Sequence, residues 1–299
     1  MKDGLSDATT ALLNLLAQYT RAQIRKALGQ HEEPLDALLN GDLVLNGSAS
    51  RRAHHARASS HAEGGAGVLS IFDAHYPEVL RHIPDPPLII FVRGAVSALT
   101  DGAPKVAVVG ARRASRSGRD FAESLGQTLA QAGVNVVSGL AIGVDGAAHR
   151  GACLAVHGDG HRACPTIAVL GSGLKQIYPA THTRLAEEIL RCGGTLLSEY
   201  PDRMTPRAHH FPERNRIISG LANAVVVIEA GARSGSLITA RLALEQGREV
   251  LAVPGPVTSP LSRGCHRLIR QGAELVESAD DVLAALGMVG GEAKNNTAA

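Results

Sequence analysis

Apolar positions along the chain change their spacing twice. Between residues 8 and 45, Leu12, Leu13, Leu15, Leu16, Ile24, Leu28, Leu35, Leu38 and Leu39 recur at near-helical intervals, with Gly29 and Pro34 as punctuation. This spacing predicts two or three short amphipathic helices, a small module over residues 1–46. From 47 to 67 the stretch GSASRRAHHARASSHAEGGAG has no apolar period and reads as a flexible linker. After the proline-rich connector HYPEVLRHIPDPPLIIFVRG, short β-branched runs (KVAVVG, VNVVSG, TIAVLG, TLLSE, AVVVIEA and EVLAVPG) alternate with helical stretches. Such alternation specifies an α/β domain over 68–286, with a doubly wound, mostly parallel sheet covered on both faces that receives ligands at the carboxyl ends of its strands. ADDVLAALG closes that domain as a capped helix, and 287–299 is a tail.

Composition narrows the setting. A chain of 299 residues with 44% hydrophobic positions has ample material for a packed core. Lys and Arg number 30 against 28 Asp and Glu, so any basic site must be local rather than global. Cys153, Cys164, Cys192 and Cys265 are scattered without a Cys-x-x-Cys pair, which suits a reducing cytoplasm. The first residues lack the layout of a secretory signal, and no apolar run reaches membrane-spanning length.

Candidate chemistry gathers at the strand ends. KVAVVGARRASRSGRD opens like a dinucleotide-binding turn at Gly110, but Arg112 and Ser115 stand where the second and third glycines belong, followed by Arg116 and Arg119. In VVSGLAIGVDGAAH, Ser138 and Gly139 end a strand, and Asp145 either caps a helix or belongs to a phosphate-binding turn. VLGSGLKQIYP sets Gly171 and Lys175 near Tyr178, a cation and an aromatic face of the kind single-stranded nucleic acid uses, or else a surface lysine and a packed ring. FPERNRIISGL brings Phe211, Arg214, Asn215 and Arg216 together, and either arginine has Glu199 and Glu229 as alternative internal partners to a phosphate. Gly235 and Ser236 open a further helix whose N–H groups suit an anion or an ordinary cap. HGDGHRAC, from His157 to Cys164, fits no common zinc spacing, so no metal is expected. The sequence lacks a Gly-x-Ser-x-Gly elbow and a Gly-x-x-x-x-Gly-Lys-Ser/Thr loop.

From about Tyr76 to Leu286, the ordered stretches YPEVLRHIPDPP, VAVVGARRAS, VVSGLAIGVDGAAH, AVLGSGLKQIYP, LLSEYP, FPERNRIISGL, VVVIEA, SGSLITARLALEQGREVLAVPG and LIRQGAELV resemble the DNA-processing protein A family, also called Smf. The resemblance implies a Rossmann-like domain that binds single-stranded DNA without reading its sequence, protects incoming strands in natural transformation, and loads the RecA recombinase. It implies no cofactor and no catalytic residue. Gly110 and Arg112 would grip backbone phosphate, and Phe211, Arg214, Asn215 and Arg216 would line the pocket; the strand-end argument extends it to Ser138, Gly139, Gly171, Lys175, Gly235 and Ser236. A homodimer formed through this domain is also implied.

This sequence departs from the family pattern in places. His182 and His266 stand where many members carry Asn, the N-terminal module resembles the family only faintly, and the 13 residues from 287 to 299 are too few for the winged-helix domain that many members carry. The rival class is a nucleotide phosphoribohydrolase resembling lysine decarboxylases, whose Pro-Gly-Gly-x-Gly-Thr-x-x-Glu motif supplies a catalytic carboxylate. The corresponding turn, Arg233 to Thr239, has Thr239 where the glutamate belongs, and a threonine hydroxyl takes no proton near neutrality. A nucleotide-sensing module is the other alternative.

Overall fold

The computed structural model describes residues 5–45, 66–155 and 166–288. Three short helices come first: α1 (Asp7–Leu16), α2 (Arg21–Leu28) and α3 (Pro34–Asn40). Each has a local reason to begin. Ser6 accepts the Thr9 N–H at α1, Thr20 and Gln23 form a reciprocal capping box at α2, and Pro34 opens α3. Gly41, at φ 77°, ends α3.

Among the described residues, nine strands form one sheet: β1 (Ala66–Ser70), β2 (Ile89–Gly94), β3 (Lys105–Val109), β4 (Asn135–Ser138), β5 (Thr166–Leu170), β6 (Thr195–Ser198), β7 (Ala224–Val227), β8 (Glu249–Ala252) and β9 (Glu274–Leu275). Their order is β1-β2-β6-β5-β4-β3-β7-β8-β9, antiparallel at β1-β2-β6 and parallel elsewhere. The six runs read from the sequence are β3 to β8. β1 begins at 66, inside the stretch read as a linker, most of which lies outside the described residues. β2 comes from the proline-rich connector, and β9 is only two residues long. The stretch 157–164 also lies outside the described residues.

The remaining helices are α4 (Glu78–Arg81), α5 (Arg116–Gln131), α6 (Val144–Leu154), α7 (Thr183–Arg191), α8 (His210–Leu221), α9 (Ser236–Glu245), α10 (Arg263–Arg270) and α11 (Ala279–Ala285). Alternation along each strand divides them between two faces. Val106, Val108, Val136 and Val226 pack with α5, α6 and α11. Ala107, Val109, Val137 and Val227 pack with α8, α9 and α10. Leu12, Leu13, Ile24, Leu28 and Leu38 of the N-terminal helices share a third cluster with Leu88, Ile89, Phe91 and Leu196, so these helices are built onto the sheet. Leu35 and Leu39 stay exposed. The chain winds from β3 outward through β4, β5 and β6, then returns through α8 to β7 on the other side of β3. The loops after β3 and β7 therefore diverge, which opens a crevice at the carboxyl ends of the strands.

Candidate functional site

That crevice is a cavity of about 850 Å³. Its walls are the turn after β3, the turn between β4 and α6, the first turns of α8, and the turn from Gly231 into α9. Four arginines line it, Arg112, Arg207, Arg214 and Arg233, against one carboxylate, Asp145. Arg112, Arg207 and Arg233 are exposed, and among the described residues none of the three has a carboxylate partner. The potential in the crevice is therefore positive, and three of its cations are free to take up an anion.

Arg214 is held differently. Its Nη1 donates to Gly139 O at 2.9 Å and to Val169 O, which fixes the guanidinium at the ends of β4 and β5. Burial pushes its pKa down to about 10, opposed by the nearby Asp145, so it remains charged at neutral pH. Burial in turn pushes the Asp145 carboxyl up, against the pull of Arg214 and of the Gly139 N–H, which donates to Asp145 Oδ2 at 3.1 Å. Beside this pair the Arg112 guanidinium lies over the Phe211 ring, 5.2 Å from its centroid. The Tyr178 ring is 5.3 Å from Phe211 and 45% exposed. A cation, Arg112, and two aromatic rings, Phe211 and Tyr178, thus lie side by side. That combination suits a chain of phosphates with attached planar bases.

The turn after β3 answers its failed fingerprint with a protein carboxylate. Glu229, just past β7, accepts the Ser115 N–H at 2.8 Å and the Ser115 hydroxyl at 2.6 Å, and Ser115 Oγ accepts the Gly118 N–H at 2.9 Å. The N-terminus of α5, where a dinucleotide fold would bind pyrophosphate, is already satisfied by an internal anion. Gly110 is also tightly enclosed: a Cβ there would stand 2.6 Å from Val144 Cγ2. Arg116 and Arg119 serve the surface of α5, with Arg116 3.7 Å from Asp120 and Arg119 donating to Ala114 O at 2.6 Å.

Of the residues singled out from the sequence, Gly110, Arg112, Phe211, Arg214, Asn215, Gly235 and Ser236 meet around the cavity. Gly139 borders an adjoining recess of about 50 Å³ with Arg112, Tyr178 and Phe211. Four others lie elsewhere. Ser138 is fully buried and donates to Val108 O at 2.6 Å. Gly171 lies beneath the Phe211 ring, where a Cβ would come within 2.9 Å of it, and accepts from the His210 ring at its carbonyl. Lys175 pairs with the buried Asp202 at 3.3 Å. Arg216 turns away from the cavity to Glu199, with Nη2 at 2.7 and 2.8 Å from the two carboxylate oxygens. The two histidines hold backbone instead of facing the cavity: His182 Nδ1 is 3.0 Å from Leu140 O, and His266 Nε2 is 2.9 Å from Gly255 O. Sequence reasoning missed Arg207 and Arg233 as site residues. Arg233 stands two positions before Gly235, within the motif already quoted, whereas Arg207 lies in a loop with no periodic signal.

No helix among the described residues is long and apolar enough to cross a membrane. Known proteins resemble this chain in both sequence and fold. It is 50% identical to protein Smf of Escherichia coli over 208 residues, covering 70% of this chain and 53% of that protein, so it spans about half that relative's length. It is 46% identical to the DNA processing protein DprA of Streptococcus pneumoniae over 216 residues, covering 72% of this chain and 73% of that one. The X-ray structure of DNA processing protein A from Streptococcus pneumoniae overlays with a TM-score of 0.78 at 38% identity, covering 94% of this chain and 98% of the other. DNA processing protein A of Helicobacter pylori, whose structure concerns its single-stranded DNA binding mode, overlays with a TM-score of 0.63 at 28% identity, covering 74% and 95%. The family model for DNA recombination-mediator protein A matches residues 67–287. With that match spanning most of the sheet and every wall of the cavity, the chain belongs to the DNA recombination-mediator protein A family.

Proposed function

We propose that this protein binds single-stranded DNA through the crevice between β3 and β7, without reading its sequence and without chemistry on it. The observation that carries this reading is the lining of four arginines and one carboxylate beside the Phe211 and Tyr178 rings. Arg112, Arg207 and Arg233 reach backbone phosphates, Arg214 supplies a fixed positive floor, and the exposed Tyr178 ring accepts a base by stacking, while Phe211, covered by Arg112 and Gly171, backs it. Asn215, which lines the same wall, offers a carboxamide to a phosphate or a base edge. The DNA processing names of the relatives and the single-stranded DNA binding mode of the Helicobacter pylori protein support the same assignment.

Within that reading the biological task is protection of incoming strands during natural transformation, in the cytoplasm, followed by loading of RecA. The working unit is a homodimer. β9 ends the sheet with Glu274 and Leu275 both exposed, which leaves a second copy a short unpaired edge to cover. Sedimentation at micromolar concentration tests the dimer, and a pull-down with RecA in the presence and absence of single-stranded DNA tests the loading role. Against the hydrolase reading, Thr239 is buried at the cavity wall, and the lining carboxylate Asp145 is committed to the Gly139 N–H.

The main test is fluorescence anisotropy of labelled oligothymidine against salt. Each phosphate contact adds about −0.7 to the slope of log K against log salt, so three or four arginine contacts give roughly −2 to −3. Arg112→Ala should weaken binding to oligothymidine and oligoadenosine alike, and should make the slope shallower by about 0.7. A flat salt response of the unaltered protein would sink the reading, as would release of free base from a nucleoside monophosphate.

A further inference from the structure

Helix α8 carries the proposed DNA-binding wall on one side and is held from its other side by the N-terminal helices. Phe211, Arg214 and Asn215 line the cavity, while Arg216 points the opposite way. Besides its two bonds to Glu199, Arg216 places Nε 3.0 Å from Asp85 Oδ2 and donates to the Asp85 carbonyl at 2.8 Å. Glu199 follows directly after β6, and its Oε1 also takes Arg21 Nη1 from α2 at 2.8 Å. Arg21 Nη2 reaches Asp85 Oδ2 at 3.1 Å, and Arg25 bonds the same carboxylate. Three guanidiniums from α2 and α8 therefore share two carboxylates. Burial alone would push the Glu199 carboxyl up, but Arg216 and Arg21 hold it below the usual range.

The position of this network matters more than its strength. α8 packs on one face of the sheet and the N-terminal helices on the other, so the chain Arg21–Glu199–Arg216 bridges the two faces around the carboxyl end of β6. Between α2 and the start of α8 lies a hollow of about 480 Å³, bordered by Tyr19, Arg21, Tyr200, His210 and Glu213. Direct packing is therefore interrupted there, and the planar guanidinium forks span the gap. A fork that touches two carboxylates at once fixes direction as well as distance.

We propose that Arg21 is a positioning residue for the DNA-binding wall of α8, acting through Glu199 and Arg216 and making no contact with DNA itself. This rests on the single-stranded DNA reading of the cavity. Without Arg21, the buried Glu199 and the half-exposed Asp85 each lose a cation, and α8 is freed to shift where Phe211 and Arg214 need a fixed pose.

The test is Arg21→Ala in the full chain, with Arg21→Lys as the conservative partner. Oligothymidine affinity of the alanine variant should fall about five- to tenfold, the scale of coupling through an intermediate network, with the salt slope unchanged because no phosphate contact is lost. The lysine variant should recover part of the loss. Amide hydrogen exchange without DNA should quicken across residues 210–216 and stay unchanged in α9. Affinity within twofold of the unaltered protein, at a temperature where both are fully folded, would overturn the proposal even if the melting temperature falls. A slope made shallower by as much as in Arg112→Ala would also overturn it, since Arg21 would then be touching DNA. The exchange measurement keeps the positioning claim testable if the unaltered protein binds no DNA at all; unchanged exchange across 210–216 overturns it.

Discussion

Helices α5 and α9 both start at the crevice after glycine-containing turns, yet only α5 has its N-terminus closed by a carboxylate. At α5, Ser115 caps the helix and passes its N–H and hydroxyl to Glu229, while Gly110 is hemmed in by Val144. At α9 the cap residue is Gly235, which supplies no side-chain acceptor, and a Cβ built there meets nothing within 4 Å. The end is met by neutral groups instead: the Ser236 N–H donates to Ser234 Oγ at 3.4 Å, the Leu237 N–H to Ser234 O at 3.1 Å, and the Ser234 and Ser236 hydroxyls bond each other at 2.8 Å. The sequence motif alone therefore does not mark an anion site. What decides is whether the protein supplies its own carboxylate, and Glu229 does so for α5 alone. The dinucleotide-like turn thus becomes a structural joint between β3, α5 and β7.

The sharpest way to break this contrast is Glu229→Ala. It removes the charged acceptor of the half-buried Ser115 N–H and hydroxyl, leaving the hydroxyl only Ser117, and a hydrogen bond to a charged group contributes about 1.5–3 kcal/mol. Urea unfolding measures it, and a loss below about 0.5 kcal/mol would mean that the helix end was never dependent on the internal anion. Next in size is Gly110→Ala. Its methyl group would overlap Val144, and overpacking of this kind costs about 1–3 kcal/mol unless the neighbour moves. A variant as stable as the unaltered protein would show that the joint has slack.

Most of the sheet could be read from the sequence because β3 to β8 are β-branched runs that end at glycine or polar turns, and buried parallel strands need little else to be recognised. β1 and β2 were not, since they pair antiparallel at the sheet edge without the crossover helix that announces a parallel unit. The arginines divide the same way. Arg214 and Arg216 are two residues apart on a helix and cannot face the same partner, so helical geometry alone required one of them to leave the cavity. The sequence did not reveal which one, because that depends on Glu199 and Asp85, which lie on other elements. Lys175 shows the same dependence: its partner Asp202 lies on another element, beyond β6. Arg207 gave no signal, as a loop residue acquires a role only through the fold around it.

The smallest expected effect, and the finest probe of the contrast, is Gly235→Ala. The backbone there sits at φ −61° and ψ −25°, an ordinary helical conformation that alanine adopts without strain. With open space around the new methyl, stability should stay within about 0.5 kcal/mol of the original or rise slightly, since alanine has less freedom to lose on folding. Gly235 lines the cavity, so on the DNA-binding reading an added methyl should crowd a phosphate at the end of α9, and oligothymidine affinity should fall about threefold with little change in salt slope, because no cation is removed. Anisotropy titrations beside a thermal melt separate the two effects. Unchanged affinity would mean that DNA keeps to the arginines and never approaches α9, and the two helix ends would then be closed alike, one by Glu229 and the other by disuse.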